Sequence, residues 1–363
     1  MKLTVNQKNL KRTLSIVEKA VTKNSSLPIL NNVLFKTENG RLKILATNLE
    51  IGITGIIGAK IDEVGEIAVP ARIITDFIST INDEKVTLSS KNSILTINSD
   101  NYKTQILGFD SKDFPIIPKI KEDPILTIPT KTLKNALLSV IDSTASSESR
   151  PELSGVFMKV QGAQAIFAST DSFRLAEKTI PIKGLISKSI ILPRITVAEL
   201  IRICGDIEGE MVVRSGENQI SFSSDDIEIV SRTIDGTYPD YRKVIPEKFL
   251  SRVLVTRDEL EKNLRLAGLF SSLISDVRLS CRDQKMFIAA RNSERGEIET
   301  SVESLLKNEP FEIALNYRYL LDGLKNVPSD KVIIEFTGSG SPLLVRSGEE
   351  KSDYTYLIMP LRN

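Results

Sequence analysis

The sequence predicts an α+β protein made of three similar domains in tandem, each with two helices packed on β-sheet. Three observations carry that prediction. A short apolar strand leading into an amphipathic helix occurs three times; a segment ending in arginine and leading into a second short helix also occurs three times. The arginines, Arg72, Arg194 and Arg318, stand 122 and 124 residues apart in a chain of 363. A fixed period of this kind marks one structural unit repeated.

The strand and first helix come in order. Leu3-Thr4-Val5 precedes Leu10, Leu14, Val17 and Val21; Leu126-Thr127-Ile128 precedes Leu133, Leu137 and Val140; Leu254-Val255-Thr256 precedes Leu260, Leu264 and Ala267. Apolar residues at i, i+4 and i+7 share one helix face. The second landmark is Val69-Pro70-Ala71-Arg72, then Leu192-Pro193-Arg194, then Leu315-Asn316-Tyr317-Arg318, and Ile73, Ile74, Phe77, Ile78 and Ile81 show the second helix of the first copy. Between the landmarks, strand-like runs at 42–48, 165–171 and 286–292 end on a short polar turn. Beyond the second helix come hairpin-like pairs: 85–89 with 94–99, 211–214 with 220–224, and 332–337 with 343–346. Period-two alternation in 102–109 and 228–233 gives those strands one buried face. The expected domains are 1–120, 125–246 and 250–363, joined by Pro-rich linkers after Phe114-Pro115 and Tyr238-Pro239.

Composition narrows the chemistry. Hydrophobic content of 41% with 26% charged residues describes a globular protein, and no apolar run has the length of a membrane span. The start, Met-Lys-Leu-Thr-Val-Asn, does not read as a signal peptide, so the expected location is the cytoplasm. Cys204 and Cys281 lie in apolar segments and read as buried thiols. The chain has no histidine, which excludes Ser-His-Asp and Cys-His triads and Cys/His zinc sites. No catalytic residue, metal or cofactor is therefore expected. A net charge of +1 confines any nucleic-acid contact to local patches.

Two kinds of surface stand out. The stretch 168–176, the stretch 238–246 and the last residues, 356–363, each mix apolar groups with Pro and Arg, the makings of an apolar groove with polar anchors. Helix faces opposite the apolar stripes carry Lys8, Lys11, Arg12 and Lys19, then Lys131 and Lys134, then Arg257, Lys262 and Arg265, among some acidic residues. Such faces suit a weak, sequence-blind phosphate track. Consecutive domains can pair edge strands, leaving one free edge on the first and last copies, and two chains could close a ring through those edges. Lys103 and Ile106, with Leu269, Phe270, Glu297 and Glu299, have the character such a contact needs.

Two other functions compete. A nuclease or nucleotidyltransferase needs clustered carboxylates, and Asp83-Glu84 and Asp225-Asp226 read instead as solvated turns. The segment 337–341 is glycine-rich but lacks the Lys-Ser/Thr of a phosphate loop, so it reads as a hairpin turn. A scaffold that never encircles DNA shares the groove and the repeat, and differs in whether the cationic face meets phosphate.

Five segments together resemble the bacterial DNA polymerase III β subunit family, the sliding clamps. They are 27–30 (Leu-Pro-Ile-Leu), 69–72 (Val-Pro-Ala-Arg), 170–176 (Thr-Asp-Ser-Phe-Arg-Leu-Ala), 235–242 (Asp-Gly-Thr-Tyr-Pro-Asp-Tyr-Arg) and 359–362 (Met-Pro-Leu-Arg). The likeness runs the whole length of the chain in order. It implies three clamp domains forming half of a closed ring, a homodimer that encircles double-stranded DNA without sequence preference and tethers the replicative polymerase. Its implied partners are the DNA polymerase III core, the clamp-loader complex, and other polymerases and repair proteins that dock a short peptide of the Gln-Leu-x-Leu-Phe kind. By motif position the implied groove is Leu153, Thr170, Ser172, Phe173, Arg174, Leu175, Pro239, Lys243, Val244, Leu357, Met359, Pro360, Leu361 and Arg362. The implied DNA contacts are Arg12, Lys23, Asn24, Arg72 and Arg194. The family often has Gly-His where this chain has Ser172-Phe173, and arginine at Lys243, so a greasier groove is expected. A loop arginine of the family falls at Asn24 and a loop glutamine near Ser147.

Overall fold

The computed structural model describes residues 1–21, 27–147, 149–182, 187–349 and 353–361. These form two compact units, one made of Met1–Lys134 and Ala198–Thr233, the other of Asn135–Val197 and Ile234–Asn363. Six α-helices are present among the described residues: α1 (Gln7–Val17), α2 (Ala71–Thr80), α3 (Thr130–Val140), α4 (Arg194–Asp206), α5 (Arg257–Gly268) and α6 (Tyr317–Leu324). They fall where the two landmarks of each repeat place them.

Local chemistry sets the helix starts. Asn6 caps α1 by accepting hydrogen bonds from the Lys8 and Asn9 amides, and Asn316 caps α6 through the Arg318 and Tyr319 amides. The stripe Leu10, Leu14 and Val17 is fully buried, as are Leu260, Leu264 and Ala267 on α5. In the first unit α1 and α2 lie side by side, tied by the Gln7 amide donating to the carbonyls of Ile78 (2.6 Å) and Ile81 (2.9 Å).

The first unit holds two sheets. One, of five antiparallel strands, runs from Lys60–Glu63 to an edge at Lys103–Leu107. The other has eight strands and crosses from the first repeat into the second: Ile51–Gly58 pairs antiparallel with Ile227–Arg232, Ile53 opposite Ile229. In the second unit one twelve-stranded sheet makes the corresponding crossing. There Arg174–Pro181 pairs with Tyr354–Ile358, Leu175 opposite Leu357. The strands of the middle repeat are thus divided between two continuous sheets, so compactness follows the sheets rather than the sequence period. Edge pairing between consecutive repeats is what the free-edge argument requires.

The segment 337–341 joins strands Lys331–Phe336 and Leu343–Ser347, a hairpin connection. Cys204 and Cys281 are buried free thiols, and burial pushes the Cys204 thiol up to about 12. Among the described residues no helix is long and apolar enough to cross a membrane.

Candidate docking groove and nucleic-acid interface

The groove residues assemble in the second unit around one turn. In 170–174 the Thr170 hydroxyl donates to the Arg174 carbonyl (2.7 Å) and accepts from the Ser172 amide (3.1 Å). The Asp171 carboxylate accepts from the amides of Phe173 (2.9 Å) and Arg174 (3.0 Å). These side-chain bonds replace missing backbone partners and hold Ser172 at a φ of +75°. Phe173 is thereby thrust outward, 62% exposed, while Leu175 on the following strand is buried.

Beneath the turn, Leu153, Leu175, Tyr238, Tyr241 and Leu357 form a buried apolar cluster with Ala168 and Ile191, against which Phe157, Ile245 and Met359 pack. Tyr238 stacks on Phe157 with ring centroids 4.8 Å apart, and Tyr241 meets both rings edge-on. Tyr241 also donates its hydroxyl hydrogen to Glu177. Burial, and then the Glu177 carboxylate, hold that phenol well above its ordinary pKa. Tyr241 opens a single turn of helix, Tyr241–Val244, which presents Lys243 and Val244 to solvent, Lys243 pairing with Asp240 at 3.1 Å. The opposite wall is the end of the last strand: the Met359 amide donates to the Phe173 carbonyl (2.8 Å) and the Leu361 amide to the Ala314 carbonyl (2.9 Å). Pro239, Pro360 and Leu361 are half-buried. Arg362 lies outside the described residues.

Arg174 differs from its neighbours. Its guanidinium donates to Asp171 (2.9 Å), to Asp322 on α6 (2.5 Å) and to the Asp142 carbonyl, and lies over the Tyr319 ring at 4.4 Å. Burial opposes its charge, but the Tyr356 oxygen and the Asp322 and Asp171 carboxylates hold its pKa above the ordinary arginine value. Lys325 reaches the Asp142 carboxylate from the same helix.

The expected DNA contacts are scattered. In the first unit Arg72 is exposed and 3.7 Å from Asp76, one turn along α2. Arg12, on the solvent face of α1 with Lys8 and Lys11, borders a cleft of about 870 Å³. Asp206, Glu208, Glu210, Asp225 and Asp226 also line that cleft, so nearby carboxylates offset the field of Arg12. In the second unit Arg194 is half-exposed and donates to the Ile141 carbonyl and the Thr144 hydroxyl, both at 2.5 Å. Lys23 and Asn24 lie outside the described residues. Arg257 is not free for phosphate, because it donates to the Val327 carbonyl (2.7 Å) and pairs with Asp258.

Of the expected edge residues, Lys103 is exposed on the outermost strand of the five-stranded sheet, and the Ile106 side chain is buried within the chain. Strand alternation puts Lys103, Gln105 and Leu107 on the outer face, and Leu107, not Ile106, is the exposed apolar group at 74%. In the second unit Leu269 is exposed, and the Phe270 ring lies against Gly296, where the strand carrying Glu297 and Glu299 begins. That strand pairs with Lys285–Asn292 over 296–303 and with Ser251–Thr256 only from Ser304 on, so its first half has one open side among the described residues.

Asp83 is occupied with the Asn101 amide and side chain (3.2 and 2.7 Å), and among the described residues no three His, Cys, Asp or Glu side chains are placed to hold a metal ion. The sequence reading did not single out Phe157, Ile191, Asp142, Asp322 and Tyr319 as parts of this site, whereas the stretch 238–246 and the motif 235–242 pointed toward the two tyrosines of the cluster.

Three repeats whose sheets cross from one to the next, with an apolar groove beside the second crossing, define a clamp-type protein. Models of the DNA polymerase III beta subunit match its N-terminal domain at residues 1–118, its central domain at 127–240 and its C-terminal domain at 242–362. A beta sliding clamp of Synechococcus elongatus is 30% identical, covering 100% of this chain and 99% of that protein, and one of Staphylococcus aureus is 26% identical over 100% and 99%. The crystal structure of a DNA polymerase sliding clamp from Bacillus subtilis superposes with a TM-score of 0.95 at 25% identity over 100% of this chain and 99% of that one. A DNA polymerase III beta subunit from Thermotoga maritima gives 0.94 at 28% over the same shares. The chain belongs to the DNA polymerase III beta subunit family, and its role is that of a non-catalytic DNA sliding clamp.

Proposed function

We propose that two copies of this chain close a ring around double-stranded DNA in the cytoplasm and tether a DNA polymerase to it. Each copy supplies three domains, 1–120, 125–246 and 250–363. The edge strand bearing Lys103 and Ile106, with Leu107 exposed beside them, pairs with the open half of the strand bearing Glu297 and Glu299, with Leu269 and Phe270 packed beside it. Lys103 opposite Glu297 and Glu299 gives the contact its charge complementarity. Arg12, Lys23, Asn24, Arg72 and Arg194 supply a loose attraction to phosphate that carries no sequence information.

The groove recruits the partners: the DNA polymerase III core, the clamp loader, and other polymerases and repair proteins, each through a short peptide. Phe173 and Val244 flank an apolar floor of Leu153, Leu175 and Leu357, with Thr170, Ser172, Arg174, Pro239, Lys243, Met359, Pro360, Leu361 and Arg362 around it. A peptide with two apolar side chains would bury them there. Tethering turns dissociation of the polymerase into re-engagement at high local concentration.

The observation that carries this reading is the convergence of the 170–175 turn, the 238–245 linker and the last strand on one apolar cluster. The test is retention of loaded protein on a nicked circular plasmid during gel filtration in high salt, repeated after the circle is cut once. Retention on the circle and loss from the linear form is expected; equal loss from both would defeat the ring. A truncation lacking 359–363 is expected to keep its fold and lose a clamp-motif peptide in calorimetry by more than about a hundredfold, since one wall of the groove goes with it.

A further inference from the structure

We propose that Arg174 is a positioning residue rather than a ligand for the docked peptide, and that Asp322 sets the affinity of the groove through it. The inference rests on the docking groove proposed above and names groups outside it. The turn itself does not need an arginine. In the first unit the turn 47–51 makes the same bonds: the Thr47 hydroxyl donates to the Ile51 carbonyl (2.9 Å) and accepts from the Leu49 amide (3.0 Å), and Asn48 accepts from the amides of Glu50 and Ile51. Leu49 has a φ of +76° where Ser172 has +75°. The position of Arg174 is held there by buried Ile51. The arginine therefore serves something beyond the turn.

Its bonds show what that is. The side chain is 12% exposed and three of its N–H donors are engaged, two of them with groups outside its own turn: Asp322 on α6 and the carbonyl of Asp142. Tyr319, also on α6, stacks beneath the guanidinium, and its carbonyl accepts from Tyr356 (2.9 Å) on the neighbouring strand. Lys325 ties α6 to the Asp142 carboxylate in turn. Arg174 pairs in register with Ile358, between Phe173 and the Met359 amide that bonds to it. Helix α6 thus holds the backbone that sets the spacing of the two walls, Phe173 and Met359. A guanidinium committed this far offers little to a peptide, whereas its displacement would shift both walls.

The full-length protein is titrated in a calorimeter with a synthetic peptide containing Gln-Leu-Ser-Leu-Phe. Asp322→Asn, which lies away from the groove, is expected to weaken binding about tenfold, and Asp322→Glu to restore it to within about twofold. Arg174→Gln is expected to weaken it about tenfold, and the double variant no further, as for residues acting as one unit. Gly55→Ala, whose new methyl would run into the Thr13 methyl on α1 in the first unit, should lower the melting temperature without weakening the peptide. The proposal is overturned if Arg174→Gln weakens binding while Asp322→Asn does not, if the two effects add, or if Gly55→Ala weakens the peptide equally. A wild-type protein that binds no peptide would remove the docking groove itself, and this inference with it.

Discussion

The two strand crossings share a backbone and differ in what fills it. In the first unit Gly52 stands opposite Val230; at the matching register in the second unit Leu175 stands opposite Leu357. The missing side chain at Gly52 admits the linker residue Ile117, whose methyl would lie 2.9 Å from any Cβ built there. A smaller cleft, about 300 Å³, remains among Leu49, Pro115, Ile116, Pro118 and Arg232. The second crossing has the two leucines, a stacked pair of aromatic rings with a third edge-on to both, and a clipped arginine instead. The repeat supplies a rigid frame twice, and the linker side chains decide which copy carries a docking site.

Alkaline titration should separate the two crossings most strongly. Burial raises the pKa of Tyr238, Tyr241, Tyr354 and Tyr356, all in the second unit, above the ordinary 10.0, although Arg150 partly offsets it at Tyr238 and Arg174 at Tyr356. Such groups contribute stability that is intact below pH 10, where both states are protonated, and is lost above it as the unfolded chain ionises first. Each can cost up to about 1.4 kcal/mol per pH unit in that range. The first crossing has no tyrosine, and in its unit burial raises the Cys204 thiol, its loss starting from 9.0, while the shifted carboxylates Glu38, Glu66 and Asp83 are lowered and titrate only in acid. With no histidine, stability between pH 6 and 8 should be nearly flat. As pH rises from 9 to 11, alkylation should therefore reach Cys281 before Cys204; the reverse order would contradict the assignment of the weak point to the second unit.

Substitutions that exchange the two fillings should have smaller effects. Arg174→Ile, which installs the residue of the first turn in the second, leaves Asp171 without its cation and Asp322 with Lys325 alone, and should cost about 3 kcal/mol in urea unfolding. Gly52→Ala forces the Ile117 side chain to move and should cost about 2 kcal/mol. A neutral Gly52→Ala would mean that the linker is not held against the strand.

The repeat, the six helices and the edge pairing were legible because they rest on local periodicity and on a landmark that recurs at a fixed interval. The floor of the groove was half legible: Thr170, Leu175, Leu357 and Met359 lie in marked motifs, and Tyr238 and Tyr241 in the aromatic-Pro stretch. Phe157 and Ile191 looked like ordinary strand residues, and only strand register brings them to the cluster. Asp142, Asp322 and Tyr319 gave no signal, since each sits on a helical turn where a polar residue is unremarkable until Arg174 arrives from another strand. Leu107 was not singled out, because one residue of alternation along the edge strand decides which apolar side chain faces solvent and which the core.

The smallest contrast isolates frame from filling. Thr47→Val and Thr170→Val remove the same two hydrogen bonds from the same turn, 2.9 and 3.0 Å in one and 2.7 and 3.1 Å in the other. Each should cost about 1 kcal/mol, and the two should agree within about 0.5 kcal/mol. Only Thr170→Val should also weaken a docked peptide, because only its turn carries Phe173 over the apolar floor. If both weaken the peptide, docking depends on global stability; if neither does, the turn is not part of the groove, and the matched bonds are scaffold in both places.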